Sequence, residues 1–236
     1  MKLGIMQPYF FPYLGYFSLI KYSDKFIFFD TPQYIAHGWV NRNRILRQDG
    51  IPIYIIVPIQ KARQETAIKD IMISDQYNWS EKMYGQLMSY KKRAPRYKDT
   101  IEFLHSIIDK DYGKSLSKLN IETIKAVCDY LAINRNFETF SEMKLEIKEV
   151  KMADEWALNI TKALGGDIYV NLPGGQAFFD KRKYDKANIE LQFLKSNLSP
   201  YIQRIGHFEA GLSIIDVMMF CSPEEIRDML DDFKIL

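Results

Sequence analysis

The opening of the chain reads as strand, loop, helix and strand, and this order limits the fold more than any other feature. Lys2–Met6 is a short apolar run suited to a buried strand. The proline-punctuated stretch Gln7-Pro8-Tyr9-Phe10-Phe11-Pro12-Tyr13 follows it. Residues 15–22 can form a helix, with Leu14, Phe17 and Ile20 spaced for one face. Residues 25–29 make a second strand that ends at Asp30. Two strands joined through a helix pack as a βαβ-like unit, the building block of α/β folds. Ligands in such folds collect at the carboxyl ends of the strands. Here those ends are residues 7–13 and 30–34.

Residues 31–43 read as a polar and aromatic loop. Further strands are expected at 53–59, β-branched and central until Pro58 stops it, and at 68–73, edge-like. Helices are expected at 80–90 with Ser80 as a candidate N-cap, and at 100–109, 120–131 and 150–164, the last stopped by Gly165-Gly166. The chain then returns to α/β, with strands at 168–172 and 190–194 and helices at 176–184, 212–220 and 223–233. Its 236 residues suit one α/β domain, with residues 80–165 as a mainly helical insertion or cap.

The charge balance is close, with 32 Lys and Arg against 30 Asp and Glu, so overall charge makes no case for nucleic-acid or membrane binding. Cys128 and Cys221 are far apart in apolar helical stretches, which argues against a disulfide framework and for a reducing, cytoplasmic setting. No histidine–carboxylate cluster has metal-ligand spacing, so no metal site is expected. The apolar N-terminus is interrupted by Gln7, Pro8, Pro12 and Gly15, unlike a signal peptide, and no run is long enough to span a membrane.

Candidate site residues concentrate near the N-terminus. Proline and crowded rings stiffen the 7–13 loop, so Gln7, Tyr9, Tyr13 and Tyr16 suit preorganised contacts to a base or sugar. Asp30 and Gln33 lead into His37-Gly38-Trp39-Val40-Asn41-Arg42-Asn43-Arg44, a dense run of hydrogen-bonding types. Arg42 and Arg44 can grip phosphate or carboxylate oxygens, and Asn41 and Asn43 can donate alongside them. His37 is a candidate general base, with Asp30 to orient it or take a proton itself. Gly174, Gly175 and Gln176 form a glycine turn that can admit an anion, though an ordinary turn reads equally well. Ser213 and Asp216 have capping-box spacing, the structural reading, and remain ligand candidates with Gln203. Ser222 and Glu225 repeat that spacing.

Together these stretches, with Tyr90-Lys91-Lys92-Arg93-Ala94-Pro95 and Phe179-Asp180, resemble the WbqC-like family nearly end to end. Phe179 stands where the resemblance leads one to expect tyrosine. The resemblance implies a place in bacterial O-antigen and related surface-polysaccharide biosynthesis, beside enzymes that make nucleotide-linked amino sugars. The resemblance implies this setting more than a reaction; the leading reading within it is acyl or aminoacyl transfer to the amine of such a sugar. No tightly bound cofactor is expected, and an acyl-CoA or other activated acyl donor would enter as co-substrate. A homodimer or a polysaccharide-pathway enzyme is an expected partner. The strand–loop–helix opening is also similar to Rossmann-like nucleotidyltransferases, which favours a parallel-rich sheet. Tyr13-Leu14-Gly15-Tyr16 stands where those enzymes carry H-x-G-H, so their catalytic histidines are absent. The alternatives to acyl transfer are a nucleotidyltransferase-like enzyme with altered catalytic residues and a non-catalytic scaffold in a polysaccharide assembly complex.

Overall fold

A strand that is apolar on both faces needs cover on both sides, and the opening strands are of this kind. In the computed structural model, which describes residues 1–236, β1 (Lys2–Met6), α1 (Leu14–Tyr22) and β2 (Lys25–Phe28) form the expected βαβ unit. β1 and β2 pair in parallel, with Leu3 opposite Lys25 and Ile5 opposite Ile27. The six-stranded sheet has the order β5-β2-β1-β6-β7-β8, adding β5 (Asn136–Thr139), β6 (Ile168–Asn171), β7 (Glu190–Ser196) and β8 (Phe233–Ile235). All pairs are parallel except β7 with β8.

Side chains alternate across this sheet because the strand period is two. Phe26, Phe28, Val170 and Leu194 point into one core. Ile5, Ile27, Tyr169, Leu191 and Phe193 point into the other. The larger core is covered by α1, α3 (Tyr97–Ile108), α4 (Leu116–Tyr130), α7 (Ile214–Phe220) and α8 (Pro223–Leu230). The smaller is closed by α5 (Glu155–Ala163) and α6 (Lys181–Asp185). Gly4 leaves room for its neighbours: a Cβ there would sit 2.6 Å from Ser23 Oγ and 2.8 Å from the Phe26 ring.

Several expected elements take other forms. The run at 53–59 is not central in the main sheet. It supplies β4 (Pro52–Ile56), which pairs antiparallel with β3 (Arg42–Leu46) in a separate hairpin. Residues 42 and 43 therefore belong to a strand, not to the preceding loop. The β-branched run misled here because one face of the hairpin packs on the core through Ile45 and Ile55, as a sheet strand would. Residues 68–73 hold a 3-10 turn (Ile68–Asp70) and isolated bridges instead of a strand. α2 (Trp79–Leu87) starts one residue early, capped by Asn78, whose side chain accepts from Glu81 N, and not by Ser80. α4 starts earlier, at a Ser115 cap, and α6 covers only the end of the expected 176–184 helix. α8 stops at Leu230, and the chain ends as edge strand β8. α5 does end at the glycines, with Gly165 left-handed at φ 66° and Gly166 N donating to Thr161 O.

Candidate functional site

Strand order marks where a candidate site lies. The chain moves from β1 to β2 and later to β5 on one side, then returns to β6 and β7 on the other. The order reverses between β1 and β6, and loops leaving a sheet at such a point diverge and open a crevice at the carboxyl ends. The loops there are residues 7–13, after β1, and Leu172-Pro173-Gly174-Gly175-Gln176, after β6.

The first loop is held through its backbone. Tyr16 Oη donates to Gln7 O at 2.9 Å. Asn120 Nδ2 donates to Pro8 O at 2.8 Å and to Val40 O at 2.7 Å. Asn43 Nδ2 donates to Phe10 O at 3.0 Å and Phe11 O at 2.8 Å. Ser213 Oγ donates to Phe11 O at 2.8 Å, and Ile214 N donates to Pro12 O at 3.0 Å. Phe11, left-handed at φ 39°, sits inside this clamp. Buried donors aimed at loop carbonyls fix a backbone that proline and aromatic packing only stiffen.

The clamp reassigns three expected ligand contacts. Tyr16 is fully buried, so its ring does not stack on a ligand; it packs on Phe26, and its hydroxyl holds Gln7 O. Asn43 is buried, and both ends of its amide are occupied, the oxygen accepting from Arg44 N at 2.8 Å. Ser213 caps α7 while holding the loop. Asn120 was missed by sequence reading. Its signal was a single amide between Leu119 and Ile121, on the buried face of α4.

With the carbonyls taken, the side chains of Gln7, Tyr9 and Tyr13 make no hydrogen bond and are half-buried. Tyr9 and Tyr16 rings lie 5.7 Å apart. Tyr13 folds back over the start of α1, where a Cβ on Gly15 would meet its ring at 2.6 Å. Burial raises the Tyr9 phenol above its usual range. Burial, helped by the neighbouring Tyr9, pushes Tyr13 up to about 12. Both phenols therefore stay protonated near neutral pH and act as hydrogen-bond donors. In the turn after β6, Gly174 has open space where a Cβ would be, and Gln176 is exposed. Gly175 approaches Asn171 and Phe179 closely, so its lack of a side chain serves packing.

The residues after β2 are mostly engaged elsewhere. Asp30 is buried and accepts from Ser141 N at 3.1 Å and Ser141 Oγ at 2.6 Å, so it does not orient His37. His37 is exposed, left-handed at φ 63°, with a free ring. Its segment runs beside the clamped loop, Phe10 N donating to Trp39 O at 3.0 Å. Gln33 is exposed and bridges Ala67 through its backbone. Asn41 is buried between Tyr34 Oη and Val57 O. Arg42 bonds the carbonyls of His37 and Gly38 and lies 4.3 Å from the centre of the Tyr54 ring. Arg44 pairs with Glu209 at 3.5 Å.

Asp216 and Gln203 form a second buried cluster. Tyr90 Oη donates to Asp216 Oδ2 at 2.5 Å, Gln203 Nε2 donates to Oδ1 at 3.0 Å, and Tyr201 Oη also donates to Oδ1. Asp216 thus leaves the capping box open, although Ser213 caps the helix; at Ser222 and Glu225 the box is complete. Burial raises the Asp216 carboxyl, opposed by these hydrogen bonds. The cluster joins α7, the β3 end and the 199–211 loop through these internal hydrogen bonds.

No helix is long and apolar enough to cross a membrane. No solved structure matches the chain. A Mycobacterium tuberculosis protein named "Uncharacterized protein Rv1507c" is 29% identical over 220 residues, 92% of each chain. The WbqC-like protein family matches residues 7–228, from the first residue of the clamped loop into the last helix, and the chain belongs to that family.

Proposed function

We propose that the chain is a transferase of bacterial surface-polysaccharide biosynthesis that binds a nucleotide-linked amino sugar between β1 and β6 and acylates its amine. The observation that carries this reading is the clamped 7–13 loop at the order reversal, which leaves Gln7, Tyr9 and Tyr13 unengaged. Tyrosine faces suit a base or sugar ring, and protonated phenols donate to phosphate or to a developing oxyanion. The open backbone at Gly174 admits a diphosphate oxygen.

The chemistry needs no enzyme nucleophile. The neutral sugar amine attacks the thioester carbonyl, a C–N bond forms, the C–S bond breaks and the thiol leaves. The nitrogen loses a proton, for which His37 is the candidate base, since its ring is free and its segment borders the loop. Asp30 is the weaker candidate, since it is buried and already accepts from Ser141 N and Oγ.

Thermal-shift measurements with nucleotides, nucleotide-linked amino sugars and acyl-CoA compounds test the binding step, because a ligand of the folded state raises Tm. A shift with a nucleotide-linked amino sugar that falls in Tyr9→Phe and Tyr13→Phe is expected. No shift with any compound, or an equal shift in both variants, refutes the site. A nucleotidyltransferase-like reading uses the same crevice and is favoured by the β1–loop–α1 opening; nucleotide exchange without an acyl donor would select it.

A further inference from the structure

The close overall charge balance conceals a local concentration. The β3–β4 turn packs on the 199–211 loop, since a Cβ on Gly50 would lie 3.2 Å from Ile205 Cβ and 3.4 Å from His207 Cε1. Arg93 ties the same region together, donating to Leu46 O at 3.3 Å and Gln203 O at 3.2 Å. Ser89 Oγ donates to Leu46 O at 2.8 Å. These contacts bring the segments that carry Arg47, Lys91, Lys92 and Arg204 together around the partly buried Arg93. Asp49 pairs with Arg47 and Glu209 with Arg44. Lys91, Lys92 and Arg204 are exposed and form no ion pair.

The same segments hold apolar side chains out in solvent. Ile202 is 78% exposed, more than any other large apolar residue in the chain; Ile51, next to Gly50, is 53% exposed and Met88, next to Ser89, is 50% exposed. The buried Asp216 cluster enforces this. Tyr201 and Gln203 turn inward onto Asp216, so the residues alternating with them, Ile202 and Arg204, turn outward. Arg204 then turns the chain at φ 54° and Gly206 at φ 82°. Isolated exposed apolar residues are ordinary, but an outward isoleucine on a segment joined through Arg93 to unpaired cations has the composition of a membrane-interface contact.

We infer that this face docks the protein on an anionic lipid bilayer, Ile202 entering the headgroup boundary and Lys91, Lys92 and Arg204 meeting the lipid phosphates. Charge complementarity is the argument for this occupant: Lys91, Lys92 and Arg204 form no ion pair within the chain, and a lipid phosphate surface supplies the opposite charge beside an apolar layer for Ile202. Attraction of clustered Lys and Arg to anionic headgroups acts within a screening length of the surface, so it is salt-sensitive. The inference does not depend on the crevice or on any reaction assigned to it.

The test is co-sedimentation of the full chain with phosphatidylglycerol/phosphatidylcholine vesicles and with phosphatidylcholine vesicles alone. Binding only to the anionic vesicles is expected, with release at roughly 0.5 M salt. Lys91→Glu with Lys92→Glu, and separately Ile202→Glu, should each lower partition by about tenfold or more with Tm unchanged. The control is Lys148→Glu with Lys151→Glu, before α5 on the opposite side of the sheet, and it should partition as the parent does. Equal partition into both vesicle types, no binding to either, an equal loss in the control, or competition by inorganic diphosphate at constant ionic strength would overturn the inference. The last result would identify the patch as a free-phosphate site.

Discussion

Replacing Asn43 with alanine tests whether the 7–13 loop is held by its clamp or by packing alone. Asn43 is buried and makes three hydrogen bonds, donating to Phe10 O and Phe11 O and accepting from Arg44 N. In the variant Phe11 O keeps Ser213 Oγ, but Phe10 O and Arg44 N lose these partners. Each buried group left unpaired costs about 1–3 kcal/mol, so with partial relaxation the variant should lose about 3 kcal/mol. For a chain of this size that corresponds to a fall in Tm of roughly 6–12 °C. Urea unfolding followed by tryptophan fluorescence measures it. Ser213→Ala in the Asn43→Ala background would take the second donor from Phe11 O, so the double variant should lose about 1 kcal/mol more than the sum of the singles. A loss below about 0.5 kcal/mol in Asn43→Ala, or strict additivity in the cycle, would refute the clamp.

Gly15→Ala places a Cβ 2.6 Å from the Tyr13 ring, which must swing away; helix propensity gains up to about 1 kcal/mol, so Tm should hold while a nucleotide-sugar thermal shift is lost. An intact shift would remove Tyr13 from the site. Asp216 has a folded pKa raised by burial, so it holds a proton that the unfolded chain releases near pH 4, and its contribution to stability declines as pH rises from there toward the folded value. Asp216→Asn lacks this titration, so the stability of the parent relative to the variant should fall between acid and neutral pH; a difference constant with pH would sink the assignment. Ser222→Ala removes a complete capping box at α8 and should cost about 1 kcal/mol in urea unfolding, and no change would mean the helix end is held by other contacts.

The βαβ opening was legible because it is local: Lys2–Met6 and Lys25–Phe28 are apolar runs, the helix between them has its own period, and no distant residue decides them. The glycine stop after α5 and the Ser222 capping box were legible for the same reason, since a backbone conformation or a cap depends on a few adjacent residues. Pairing was not. Residues 53–59 are β-branched as a central sheet strand would be, and only the position of β3 beside them makes a separate hairpin. β5 and β8 are short edges whose existence depends on β2 and β7 offering them hydrogen bonds.

For the site, sequence by itself determined which residue types are present in the opening segments and that they border strand ends. Which of them remain free to meet a ligand was decided only by tertiary structure. Asn43, Tyr16, Ser213 and Asp216 look as much like ligand contacts as Tyr9 and Tyr13 do, because donors and acceptors are the same groups in either role. Long-range burial separates them: Ser213 reaches Phe11 across 202 positions and Asn120 reaches Pro8 across 112. A buried polar group must find a partner, and partners so distant are assigned by the folded chain, not by spacing along it.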